Sequence, residues 1–156
     1  MSTKFLEYLA EAQKIVSIID HMFFVSYPLV QDKKILIKVI TESKKAIANC
    51  INAILQYEYL FKRITLYQDP HLNMRTFTLK SAPRYSISDS EIQLINELFE
   101  IVKLHEQSPM TFTRQEKIVI LSDDMRPKII TIEKAREFLL LSKNILQKTK
   151  QNIKNW

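Results

Sequence analysis

The sequence contains no glycine, although average usage of about 7% predicts roughly eleven in a chain of this length. Phosphate-cradling Walker loops, dinucleotide fingerprints and nucleophile elbows all need backbone positions that only glycine fills easily. Large families of nucleotide-using enzymes are thereby excluded, and no small-molecule cofactor is expected. Cysteine is almost as scarce: Cys50 is alone, so no internal disulfide can form. Its neighbours Ala46, Ile47, Ile51 and Ile54 place it inside a helix as a buried thiol, inert as a nucleophile, and point to a reducing, cytoplasmic setting. The three histidines, His21, His71 and His105, lie far apart and form no zinc-ligand pair. Asp20-His21 and His105-Glu106 are the only neighbours that converging helices could bring towards a metal, and no metal site is assigned.

Long hydrophobic runs are also missing. Residues 15–30, IVSIIDHMFFVSYPLV, are the most apolar stretch, but Asp20 and His21 interrupt it and it falls short of the roughly 20 residues a bilayer span requires. No membrane association is expected. The segment before it mixes Lys4, Glu7, Glu11 and Lys14 and lacks the features of a signal peptide, so the mature chain is expected to begin at or near Met1.

What is present reads as one mostly α domain spanning residues 1–156, long enough to bury roughly 70% of its unfolded surface. A first helix is predicted from Lys4 to Ser26, capped by Ser2 or Thr3. Its second half is apolar nearly all round and should be enclosed, and the Tyr27-Pro28 step should end it. A second helix is predicted from Asp32 to about Leu66, with Leu36, Ile40, Ile47, Ile51, Ile54 and Phe61 on its apolar face. Residues 70–87 show no sustained period and read as a long ordered loop, the first candidate for a functional surface. Ser88 and Glu91 fit a capping box opening a third helix that ends before Pro109. A final helix is predicted from Thr131, giving an antiparallel bundle of four main helices with a small β-hairpin near 117–132.

Within that hairpin, Asp123-Asp124 is the stretch most like chemistry. Adjacent carboxylates point in different directions, no histidine is near, and Arg126 and Lys128 would keep both ionised. Serine, aspartate and proline favour turns, so KIVILSDDMRPK reads as strand, turn and strand, and no catalytic residue is assigned.

Basic residues offer more. The chain carries a formal charge of +6. Between Lys62 and Tyr85 it places Lys62, Arg63, Arg75, Lys80 and Arg84 against one acid, Asp69, interleaved with Tyr67, Phe77 and Tyr85. After Glu137 the tail adds Lys143, Lys148, Lys150 and Lys154 with no further acid. Cations neutralise phosphates and aromatics stack on exposed bases. Lys62, Arg63, Arg75, Phe77, Lys80, Arg84 and Tyr85 are therefore the candidate RNA- or anion-binding residues.

The segment VSYPLVQDKKILIKVITESKKAIANCINAILQYEYLFKR, a short turn feeding a long amphipathic helix after an apolar first helix, resembles the helical hairpin of HEPN-type bundles over residues 5–65. The resemblance implies a small all-α domain of a kind often paired with nucleotidyltransferases, some members of which are ribonucleases. Those ribonucleases are marked by an arginine followed a few residues later by a histidine. Here Arg63 and His71 are separated by seven residues, with Pro70 directly before the histidine, and the motif is not matched.

The expected function is a small, basic, non-enzymatic helical binding module. Its partner is another protein, a second copy through the long helix 2 included, or RNA or a ribonucleoprotein through the basic segment. Exposure of Tyr57, Leu60 and Ile64 beside Leu36 and Ile40 would mark a protein interface. The alternative is a metal-independent HEPN-like ribonuclease using Arg63 and His71 with His105 or Tyr67.

Overall fold

A computed structural model describes residues 4–108, 110–115 and 117–153. Seven helical segments and three strands follow in the order α1 (Lys4–His21), α2 (Tyr27–Val30), α3 (Lys34–Leu60), α4 (Pro70–Thr76), α5 (Ala82–Arg84), α6 (Asp89–Gln107), β1 (Met110–Arg114), β2 (Lys117–Leu121), β3 (Pro127–Thr131) and α7 (Ile132–Asn152). The protein is mostly helical with a small antiparallel sheet. Among the described residues five helices have seven residues or more, against four expected; the addition is α4, inside the stretch read as a loop.

The core is built by α1, α3 and α7, each offering an apolar stripe at helical spacing. Phe5, at the start of α1, meets Tyr57, near the end of α3, edge to face at 5.2 Å between ring centres, so the two helices run antiparallel. Lys150 bonds Gln13 and Lys143 pairs with Asp20, which fixes α7 antiparallel to α1 as well. The α6 helix lies against α3 and α7, and its predicted capping box is formed: Glu91 N–H donates to Ser88 Oγ at 3.2 Å and Ser88 N–H to Glu91 Oε1 at 3.0 Å. The final helix starts where expected, with Thr131 as its cap, accepting from Lys134 N–H. Ser2, Thr3, Pro109 and Lys154 lie outside the described residues.

Two X-Pro steps do not stop the chain from being helical. The Tyr27-Pro28 step was expected to end the first helix, yet Tyr27 has helical dihedrals (φ −61°, ψ −47°), and α1 runs through a π turn, Met22–Ser26, into α2. Tyr27 N–H bonds Met22 O, five residues back. In a regular α-helix the Pro28 ring would strike the carbonyl four residues earlier; the wider turn relieves that clash and absorbs the missing donor. The same device recurs before Pro83. After α4 a π turn at Phe77–Ser81, in which Ala82 N–H bonds Phe77 O, leads into α5. Residues 70–84 are thus a bent helical path rather than the expected loop, capped by Asp69, whose Oδ1 accepts from His71 N–H at 2.9 Å.

The α3 helix stops at Leu60, short of the expected Leu66. Lys62 takes the left-handed conformation (φ 60°), Lys62 N–H bonds Tyr59 O and Arg63 N–H bonds Glu58 O. Ser86 (φ 59°) closes α5 in the same way, through Ser86 N–H to Pro83 O and Ile87 N–H to Ala82 O. Glycine is the usual occupant of such positions, and this chain fills them with lysine and serine.

The sheet has the order β1-β2-β3, one strand more than the expected hairpin. Register pairs Phe112 with Val119 and Val119 with Ile129 on one face, while Ile118, Ile120 and Ile130 are buried on the other. Asp123-Asp124 forms the β2–β3 turn. Ser122 N–H bonds Arg126 O at 3.0 Å, Met125 N–H bonds Ser122 O at 2.8 Å, and Asp124 pairs with Arg126 at 3.0 Å. The Ser122 hydroxyl in the first place, then backbone amides, hold the Asp124 carboxyl below its usual range, the opposite of what acid catalysis needs.

Candidate functional site

The most unusual group in the molecule is Glu58, a carboxylate 1% exposed in the last turn of α3. It is balanced by two guanidinium groups. Arg63 Nη1 donates to Oε2 at 2.8 Å and Arg84 Nε forms an ion pair with Oε1 at 3.1 Å, while the Tyr85 hydroxyl stands 3.5 Å from Oε2. Both arginines keep a substantial part of their side chains in solvent, 39% and 52%. Burial, and after it the neighbouring Glu58 charge, push the Tyr85 phenol far up, so it stays a neutral donor.

Local structure explains the convergence. The left-handed turn at Lys62 reverses the chain so that Arg63 folds back on Glu58, with its guanidinium 5.3 Å from the centre of the Phe61 ring. The bent helical path through α4 and α5 returns the chain to the same end of α3, setting Arg84 and Tyr85 beside the same carboxylate before the turn at Ser86. Between them Asn73 ties residue 67 to α4, its amide bonding both the N–H and the carbonyl of Tyr67 at 2.8 Å.

The sequence-predicted site residues divide into two groups. Lys62, Arg63, Arg75, Lys80 and Arg84 are exposed, and Arg75 and Lys80 border a shallow groove of ≈ 270 Å³ shared with Tyr67, Leu72, Thr76 and Leu79. Phe77 and Tyr85, expected to stack on bases, are 0% and 1% exposed and belong to the core. Their burial follows from the bent helix, which turns Phe77, Ser81, Ala82 and Tyr85 inward together. The aromatic rings that do reach solvent in this region are Tyr59, Phe61 and Tyr67. Sequence reading passed over Glu58, although it stands in helical phase with the buried Ile47, Ile51 and Ile54. An acid inside an apolar stripe is a signal that it needs a cation.

The remaining candidates have separate roles. His71 lines a groove with Ala48, Ile51, Asn52, Leu55 and Phe99, whereas the Arg63 guanidinium is turned to Glu58. His105 Nδ1 lies 2.8 Å from Thr111 Oγ1, and Asp20 is engaged by Lys143. Among the described residues no three His, Cys, Asp or Glu side chains converge as metal ligands. Cys50 is fully buried, and burial pushes its thiol up to about 12. Lys148 bonds Glu91 and the Ser86 carbonyl, so this part of the tail charge is spent inside the fold.

The face of the long helix whose exposure would have marked a protein interface is core: Leu36, Ile40, Tyr57 and Ile64 are all buried, and only Leu60 of that set reaches solvent. The shorter helix and its reversed turn fold Ile64 back over the bundle end. No helix among the described residues is long and apolar enough to cross a membrane. Comparison with protein-family models, with curated proteins and with solved structures finds no match for this chain.

Proposed function

We propose that the protein is a non-enzymatic binding module whose partner is single-stranded RNA, engaged through the exposed face of residues 59–84. The observation that carries this reading is the fixing of Arg63 and Arg84 on the buried Glu58 carboxylate, with Arg63 Nη2 and both Arg84 terminal nitrogens left for a further acceptor. A planar fork held in place loses little entropy when it meets a phosphate. Lys62, Arg75 and Lys80 add charge along the same segment, and Tyr59, Phe61 and Tyr67 supply exposed rings for bases to stack on. The formal charge of +6 favours an anionic partner.

Titration of a fluorescent single-stranded RNA with the purified protein at several salt concentrations tests the proposal. Engagement of all five cations gives a slope of log K against log salt of about −3.5, at roughly −0.7 per phosphate on a single strand. Arg75→Ala/Lys80→Ala should weaken binding and flatten that slope, and Tyr67→Ala should weaken it without changing the slope. Binding untouched by these substitutions would sink the RNA reading. RNA recovered shortened would overturn its non-enzymatic part in favour of a HEPN-like ribonuclease.

A further inference from the structure

The outward face of α1 changes character along its length. Lys4, Glu7, Glu11 and Lys14 cover its first half; Ile18, Phe24 and Val25 then stand 49%, 45% and 45% exposed on the face that continues through the π turn. The α2 turn goes further, with Leu29 81% and Val30 66% exposed. The second half of this apolar stretch was expected to be enclosed, and a single chain leaves it open.

On the other side of α2 lies a groove of ≈ 390 Å³ with an apolar wall of Phe23, Phe24, Tyr27, Pro28 and Ile132 and a polar wall of Gln31, Lys33 and Arg136. Arg136 lies over the Phe23 ring at 5.6 Å and Lys143 over the Phe24 ring at 5.2 Å. These contacts bring α7 alongside and set Leu140, 44% exposed, next to the same patch. Several large apolar side chains thus stand exposed together at this end of the molecule, where isolated ones would need no explanation.

We propose that this end of the molecule is a two-fold interface with a second copy of the chain, in which Leu29 and Val30 of each copy enter the groove of the other. A projecting apolar turn and a groove that share the α2 backbone form one patch, and a two-fold axis satisfies both elements at once with no foreign sequence. The rim carries both signs in the order this pairing needs. Asp32 follows the projecting turn, and its Oδ1 accepts from Lys34 N–H at 2.9 Å, leaving Oδ2 for another donor. Arg136 stands at the groove. Reciprocal insertion brings Asp32 towards the partner's Arg136, twice per dimer.

Sedimentation velocity of the full chain over about 1 to 200 µM tests the assignment, with a dimer of micromolar Kd as the expected result. Leu29→Glu should give a monomer at every concentration, with a thermal melt matching that of wild type at dilutions where wild type is also monomeric, because the side chain lies outside the core. Asp32→Arg and Arg136→Asp should each raise Kd at least tenfold, and the double variant should recover most of the loss. A protein monomeric throughout that range overturns the proposal. So does a dimer indifferent to Leu29→Glu, above all one dissociated by Ile129→Glu, which would move the interface to the outer face of the sheet.

Discussion

Glu58 and Arg84 meet 3.1 Å apart, one at the end of the longest described helix and the other at the end of a helical path that bends through a π turn on its way back. Their contact, with that of Arg63, closes residues 61–85 onto the bundle. Glu58→Gln should cost about 1–3 kcal/mol, because the arginines lose a charged acceptor that is itself cut off from water. A urea titration reads the loss. Faster tryptic cleavage at Lys62, Arg63 and Arg84 should accompany it, as the segment opens locally before the core unfolds. An unchanged midpoint with unchanged cleavage would show that the cluster does not hold the segment.

The left-handed residues Lys62 and Ser86 give a second prediction. An L-residue with a β-carbon is disfavoured in that conformation by roughly 1–2 kcal/mol, offset in part by the greater freedom glycine gains in the unfolded chain. Lys62→Gly and Ser86→Gly should each stabilise by about 0.5–1 kcal/mol in thermal or urea melts. Destabilisation by Ser86→Gly would mean that this hydroxyl makes a contribution its backbone geometry does not explain.

Cys50 predicts an alkaline weakness. Its thiol is pushed up to about 12 by burial, with the Thr149 hydrogen bond working the other way. A folded-state pKa above the unfolded one adds stability that is complete below the ordinary thiol pKa, near 9.0, and is lost as pH rises towards 12. Wild type should therefore lose stability between pH 8 and 10.5 faster than Cys50→Ala, and an aromatic disulfide reagent should label the thiol only on unfolding. Rapid labelling of the native protein would contradict the enclosed position.

Glu91 predicts behaviour in acid. Burial, the largest single influence, pushes its carboxyl up, but Lys148 and the Ser88 amide and hydroxyl together hold it below the ordinary 4.5. A depressed pKa adds stability that is present above the ordinary value and fades as pH falls through the depressed one. Glu91→Gln should be less stable at pH 7, and its difference from wild type should shrink below pH 4. A difference constant across that range would assign the effect to packing.

Much of this could be read from the chain. The stripes of α1, α3, α6 and α7, the Ser88–Glu91 box, the Thr131 cap, the buried Cys50 and the Asp123-Asp124 turn all follow from local spacing and local hydrogen bonding. Residues 70–87 were illegible because serine and alanine occupy two of the inward positions between Phe77 and Tyr85, and because each proline looked like a stop. The β1 strand was missed since MTFTR is short and its aromatic residue faces away from the core sheet face. The Glu58 cluster depends on a chain reversal at a non-glycine residue, Lys62, and on the helical return through residues 70–84, neither of which local spacing shows.

The π turn at Met22–Ser26 has a consequence for tolerance of chain length. Such a turn is a helix carrying one surplus residue, and one residue of α-helix is worth about 100° of rotation. Deleting any one of those five residues would leave Leu29 and Val30 close to their present phase, because the wide turn already absorbs the surplus rotation, but it would set Pro28 in a regular α turn, where its ring strikes the carbonyl four residues earlier. A single-codon loss there would thus load strain onto the backbone beside Pro28 while sparing the core upstream of it, where a substitution at the same position would change only one side chain.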